Sequence, residues 1–179
     1  MNNIIEIQGR RFELFLTQQE IIDVVSKIAQ KINNDFRDQE VVFLSVLSGA
    51  MFFTVDLVKL ITIPCKLSFL KLSSYIDIKS TGKISKVLGI DIELNSKNII
   101  LVEDIIDTGL TLTYVMNELK QFFPKDLKVA SLLAKPSTSR FKYRIDYLGF
   151  NIPDVFVVGY GLDYNGYGRN LTSIYKLIE

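Results

Sequence analysis

The chain has 179 residues, 48% hydrophobic and 23% charged, which is the balance of one soluble globular domain, residues 1–179, with enough apolar material for a sizeable core. Lys and Arg number 21 against 20 Asp and Glu, a formal net charge of +1, so no global field favours nucleic acid or an anionic membrane, and any charged ligand must be handled locally. One cysteine excludes a disulfide framework and a multi-cysteine zinc site and fits a reducing cytoplasm, while the absence of histidine removes catalytic triads and imidazole metal ligands and leaves proton transfer to carboxylates.

The opening "MNNIIEIQGRRFELFL" places acids and arginines where a signal peptide needs an uninterrupted apolar stretch, so no export is expected. Thr17 and Glu20 have capping-box spacing, and Ile21, Val24, Val25, Ile28 and Ile32 recur at helical intervals, which predicts a helix over about residues 18–33. "VVFLSVL" reads as a strand buried on both faces. Gly49 then permits a tight turn into "AMFFTVDLVKLI", a helix that Pro64 stops. The uncharged run from Val41 to Val55 is shorter than the roughly 20 residues that span a bilayer.

"CKLSFLKLSSY" is strand-like, and Cys65 is expected in the core. Residues 73–86, rich in Ser, Lys and Gly, read as an excursion between strands. "NIILV" is another buried strand, after which Leu112, Val115, Met116, Leu119 and Phe122 mark one helix face ending before Pro124. "LKVASLLA" and "VFVVGYGL" add two strands, with the basic stretch 135–144 as a surface connection between them. Alternating strands and helices with short connections predict an α/β fold: a mostly parallel sheet flanked by helices, with ligands beyond the carboxyl ends of the strands.

The chemistry concentrates in "LVEDIIDTGLT". After the "NIILV" strand, "DTGLT" turns into a helix, so backbone N–H groups converge there, with the hydroxyls of Thr108 and Thr111 nearby and Gly109 permitting close approach. This is a phosphate cradle, and neither the P-loop nor the Rossmann glycine pattern is present. Adjacent acids Glu103 and Asp104 suit a sugar diol, with magnesium relieving their repulsion. A ribose 5-phosphate satisfies both features.

"ILVEDIIDTGLTL" resembles the phosphoribosyl-pyrophosphate signature of the type I phosphoribosyltransferases, and "LLAKPS" with "VFVVGYGLDYNGYGR" is similar to their hypoxanthine-guanine branch. The likeness runs in order from "VLSGAMFF" to "GLDYNGYGRNL". It implies the family's fold, a mostly parallel sheet with a small hood formed by the chain ends, and a magnesium-dependent transfer of phosphoribose from phosphoribosyl pyrophosphate to a 6-oxopurine. It further implies a cytoplasmic homodimer or homotetramer with no nucleic-acid or membrane partner.

Residue by residue, the resemblance assigns Glu103 and Asp104 to the ribose hydroxyls, partly through magnesium, and Asp107, Thr108, Gly109, Leu110 and Thr111 to the 5′-phosphate. Asp107 would also face purine N7 as the acid/base, help typically worth about 10²–10⁴ in rate. Lys135 would donate to purine O6 and so reject adenine, whose amino group offers only a donor. Phe156 would stack on the base with Ile105 opposite, and the Val157 main chain would read the far edge. Asp163 would ligate the magnesium that carries pyrophosphate, and Arg169 would bind pyrophosphate oxygens. Ser74 and Tyr75 would open a loop that closes over the reacting centre and excludes water.

Two positions depart from the family pattern. Many relatives carry lysine where Leu47-Ser48-Gly49 has Ser48, so pyrophosphate contacts there would rest on backbone amides and a hydroxyl. Leu110 replaces a lysine of some relatives with little expected effect. Two rivals share the cradle: a regulatory protein that senses a sugar phosphate and binds nucleic acid, and a pyrimidine or adenine phosphoribosyltransferase. The first lacks an appended helix-turn-helix or a basic excess, and the second lacks the Lys135 and Phe156 pair.

Overall fold

The structure, a computed structural model, describes residues 3–74, 84–88, 92–135 and 143–178. The chain begins with two antiparallel strands, β1 (Ile4–Ile7) and β2 (Arg10–Leu16), and enters helix α1 (Gln18–Asp35). Thr17 caps that helix through the expected reciprocal box: its hydroxyl accepts from the Glu20 N–H, and the Glu20 carboxylate accepts from the Thr17 N–H at 2.8 Å. Ile21, Val25, Ile28, Ala29 and Ile32 form its buried stripe, with Val24 at the margin.

β3 (Val41–Leu47), α2 (Met51–Lys59), β4 (Cys65–Ser74), β5 (Ile84–Leu88), β6 (Asn98–Ile106), α3 (Leu110–Lys120), β7 (Asp126–Ala134) and β8 (Tyr147–Asn151) build the main body. The main sheet has the order β5-β4-β3-β6-β7-β8, with β5 antiparallel and the other five strands parallel. Side-chain alternation splits the continuous run of β3 between two cores. Val41 and Phe43 pack with α1 and α2 on one face, while Val42 and Leu44 pack with α3 on the other. Each such fully buried side chain contributes about 1.5–3 kcal/mol of transfer free energy. Ser45 points into the first core and shares a 2.7 Å hydrogen bond with Thr54 of α2, which removes the cost of burying either hydroxyl alone.

β9 (Val157–Val158) and β10 (Ile174–Leu177) complete a second sheet, β1-β2-β10-β9, entirely antiparallel. This is the hood, and it joins both ends of the chain.

Several expectations shift. Cys65 is exposed: it is the first residue of β4, directly after Pro64, on the strand next to the edge of the main sheet. Phe122 lies two residues beyond α3 and is 41% exposed, so the helical stripe stops at Leu119. "VFVVGYGL" is a strand only at Val157 and Val158, and it belongs to the hood, because Gly159 and Tyr160 turn the chain there. The sixth strand of the main sheet is instead "YLGFN" at 147–151. Residues 84–86 of the expected excursion open β5, where Ile84 pairs with Ser74 of β4, and most of the basic stretch 135–144 lies outside the described residues. Among the described residues no helix is long and apolar enough to cross a membrane.

Candidate active site

The chain leaves β3 through α2 toward β4 on one side and leaves β6 through α3 toward β7 on the other, so the strand order reverses between β3 and β6. Crevices open at the carboxyl ends of strands where such a reversal occurs. Leu47-Ser48-Gly49 ends β3 at that point, and Glu103 to Thr111 passes from β6 into α3 beside it. The Leu47–Ser48 peptide is cis.

β6 runs four residues beyond "NIILV", so both acids sit within the strand. Glu103 is 4% exposed, and its Oε1 has no hydrogen-bond partner among the described residues. Burial, then the neighbouring charge of Asp104, pushes its carboxyl well above the usual range. Burial likewise raises Asp104 to about 6, with the Asp163 charge adding to it, against hydrogen bonds from the Ile105 and Asp104 amides and the nearby Arg169 cation. A Cβ on Gly49 would collide with the Asp104 carboxylate, so glycine is what lets the β3 loop and this acid meet.

Asp107, Thr108 and Gly109 form the bend, and Gly109, at φ 71°, takes the left-handed conformation that caps α3 without a side-chain bond. The first N–H groups of α3 therefore depend on an outside acceptor. A small cavity of about 90 Å³ lies there, lined by Glu103, Asp107, Thr108, Gly109 and Thr111 among others. Leu110 points away at 69% exposure. A roomier hollow of about 750 Å³ beside the hood, lined by Thr17, Gln18, Ile22, Ser173 and Tyr175, has no charged side chain, so size alone does not mark the site.

Lys135 is the first residue past β7. Its Nζ lies 3.0 Å from Asp107 Oδ2 and 3.0 Å from Asp154 Oδ1. Burial opposes its charge, but the hydrogen bonds to Asp107 and Asp154 outweigh burial and the net shift is upward, so the ammonium is held charged. Phe156 is 45% exposed, backed by the Tyr164 ring edge-on at 5.8 Å and by Phe12 at 6.5 Å. Val157 is buried in β9, and Ile105 packs against the α1 side of the core.

Asp163 and Arg169 form an ion pair. Arg169 also donates to the Gly161 carbonyl at 2.6 Å, Asp163 accepts from the Gly166 N–H at 2.7 Å, and Gly161 packs against the carbonyl of Gly49. Glu103, Asp104 and Asp163 are not drawn into one three-donor metal cluster among the described residues. Ser74 ends β4, and Tyr75 lies outside the described residues. Sequence reasoning passed over Asp154 and Tyr164. "IPDVF" carries a turn signal for the first, whereas nothing local marks the second.

A sequence model of the phosphoribosyl transferase domain matches residues 13–165. The hypoxanthine-guanine phosphoribosyltransferase of Mus musculus is 39% identical over 177 residues, covering 93% of this chain and 81% of its own. That of Aquifex aeolicus is 37% identical over 174 residues, covering 96% and 98%. A crystal structure of a hypoxanthine-guanine phosphoribosyltransferase from Bacillus anthracis superposes with a TM-score of 0.86 at 37% identity, over 93% of this chain and 98% of that one. With a family model over residues 13–165, relatives at 37–39% identity and a fold shared this completely, the chain belongs to the phosphoribosyltransferase family of enzymes, on its hypoxanthine-guanine branch.

Proposed function

We propose that this enzyme, acting as one domain over residues 1–179, transfers the 5-phosphoribosyl group of phosphoribosyl pyrophosphate to hypoxanthine and/or guanine. The products are the purine nucleoside 5′-monophosphate and pyrophosphate. One observation supports the reading: Glu103 and Asp104 on β6, the bend into α3 and the Lys135 ammonium, 3.0 Å from Asp107, stand together at the carboxyl ends of the neighbouring strands β6 and β7.

Each group then has a task. The N–H groups opening α3, with Thr108 and Thr111, hold the 5′-phosphate. Glu103 and Asp104 hold the two ribose hydroxyls; a buried carboxylate oxygen without a donor, beside a second acid, is a set that suits hydroxyl donors and a hard cation. Magnesium, when bound with Glu103 and Asp104 and on the pyrophosphate side with Asp163, would neutralise charge on the departing pyrophosphate. Arg169 and the Leu47-Ser48-Gly49 backbone and hydroxyl hold that leaving group.

Lys135 donates to O6, Phe156 and Ile105 sandwich the base, and the Val157 main chain reads its far edge. The C1′–O bond to pyrophosphate breaks, the C1′–N9 bond forms, and Asp107 takes the purine proton at N7. By the family resemblance, Ser74 and Tyr75 begin the loop that would keep water from the oxocarbenium-like carbon. The family's self-association carries over as a homodimer or homotetramer, in the cytoplasm.

Ultraviolet-monitored turnover with magnesium and phosphoribosyl pyrophosphate, offering hypoxanthine, guanine, xanthine and adenine separately, tests the reading. Turnover of 6-oxopurines but not adenine is expected. Retained phosphoribosyl pyrophosphate binding without turnover of any base would overturn it in favour of a sugar-phosphate sensor.

A further inference from the structure

The carboxyl ends of β6, β7 and β8 lie side by side, in register through Ile106↔Ala134 and Ala134↔Asn151. The residues just beyond them are Asp107, Lys135 and the turn containing Asp154. Lys135 stands in the middle, its backbone N–H fixed on the Ile106 carbonyl at 3.1 Å. The turn is fixed as well: Ile152 donates to the Ala134 carbonyl at 2.9 Å, and Val155 donates to the Pro153 carbonyl at 2.8 Å, a tight three-residue turn with Asp154 at its centre. The lysine side chain is 11% exposed and Asp154 is 85% exposed, so one carboxylate reaches in from solvent to a nearly buried ammonium.

From this arrangement we infer that Asp154 is a positioning residue for Lys135, holding the ammonium between Asp107 and the base so that a purine O6 can replace Asp107 as its partner. The inference rests on the proposed reading of Lys135 and Asp107. Without a base, Lys135 bridges both acids, and the Asp107 oxygen that would take the N7 proton is engaged by it. Arrival of O6 gives the lysine a new acceptor and releases that oxygen. A nearly buried ammonium with only Asp107 to hold it would collapse onto that acid, and the base would then compete against a full ion pair. Asp154 keeps a second acceptor on the opposite side, so one bond is exchanged while the charge stays compensated.

The test is a double-mutant cycle on hypoxanthine kinetics and on nucleoside monophosphate binding, using wild type, Asp154→Ala, Lys135→Met and the double variant. Asp154→Ala should raise the hypoxanthine KM about five- to tenfold, the scale of one charge-assisted bond on a partly exposed pair. The phosphoribosyl pyrophosphate KM should stay unchanged, and Asp154→Glu should recover most of the loss. In the Lys135→Met background, Asp154→Ala should change inosine 5′-monophosphate affinity less than twofold. Calorimetry reads that affinity even where turnover is too slow to follow. An equal loss in both backgrounds, or a rise in KM for both substrates alike, would overturn the inference and leave the proposed reaction standing. A wild-type protein that turns over no 6-oxopurine would overturn both.

Discussion

Asp104→Asn separates what the acidic pair costs the fold from what it does for a ligand. Asp104 titrates at about 6 instead of 3.8, chiefly because burial disfavours its charge, so the folded chain binds this proton more tightly than the unfolded chain does. By linkage, stability is highest below the unfolded value, falls as pH rises from about 4 to about 6, and stays reduced above that. A difference of about 2 units at about 1.4 kcal/mol each gives roughly 3 kcal/mol. An amide has no charge to bury. The ligand-free variant should therefore be more stable than wild type by about 2–3 kcal/mol at pH 8, about half that at pH 5 and only about 0.5 kcal/mol at pH 4. At about 2–4 °C per kcal/mol for a chain of this length, the pH 8 gain is about 5–10 °C in Tm. Scanning calorimetry at the three pH values measures it. A Tm at or below wild type at pH 8, or a gain that persists undiminished at pH 4, would refute the argument. The variant should also lose the added stability that magnesium and phosphoribosyl pyrophosphate confer on wild type.

Asp107→Asn should lower turnover by about 10²–10⁴ while phosphoribosyl pyrophosphate affinity changes little; unchanged turnover in a stopped-flow assay would remove its proton role. Gly49→Ala puts a methyl where the Asp104 carboxylate lies, so kcat/KM should fall by at least about 10² through misplacement of reacting groups while the circular dichroism spectrum is retained. Wild-type kinetics in that variant would show that the two segments part without consequence. Lys135→Met should reduce kcat/KM for 6-oxopurines by about 10–100-fold, the scale of one hydrogen bond from a charged donor. An equal weakening of phosphoribosyl pyrophosphate in a binding titration would count against a base-specific role.

What could be read in advance was what the chain declares locally. Continuous apolar runs such as "VVFLSVL" and "NIILV" become central strands because burial on both faces needs no partner-specific cue, and the Thr17 box announces its helix within four residues. The bend at Asp107 to Gly109 and the start of α3 are equally local, since they are contiguous. The hood is different. "RRFELFL" alternates Phe12, Leu14 and Leu16, but its arginines and glutamate obscure a strand that sits between its local partner β1 and β10, which is distant in sequence. β9 has two residues and no periodicity to detect. "YLGFN" carries Gly149 at its centre, which reads as a break, yet the glycine is there because the Leu132 carbonyl leaves no room for a side chain. Phe122 misled in the opposite way, continuing a spacing past the point where the helix had stopped. The turn at Asp154 was legible in "IPDVF", but its contact with Lys135 was not, because that contact depends on strand ends coming side by side.

The order of strands in the hood has a consequence for synthesis. β9 pairs with the rest of its sheet only through β10, and β10 is anchored on β2, so the strand that carries Val157 and follows Phe156 gains its support from residues made after it. A ribosome that has delivered everything through residue 173 has produced the acids, the bend and α3, but not the strand on which β9 pairs. Chains interrupted there should still bind the sugar phosphate yet fail to bind purine, and parallel titrations of a 173-residue truncation with each ligand would show equal losses if the hood were instead self-supporting.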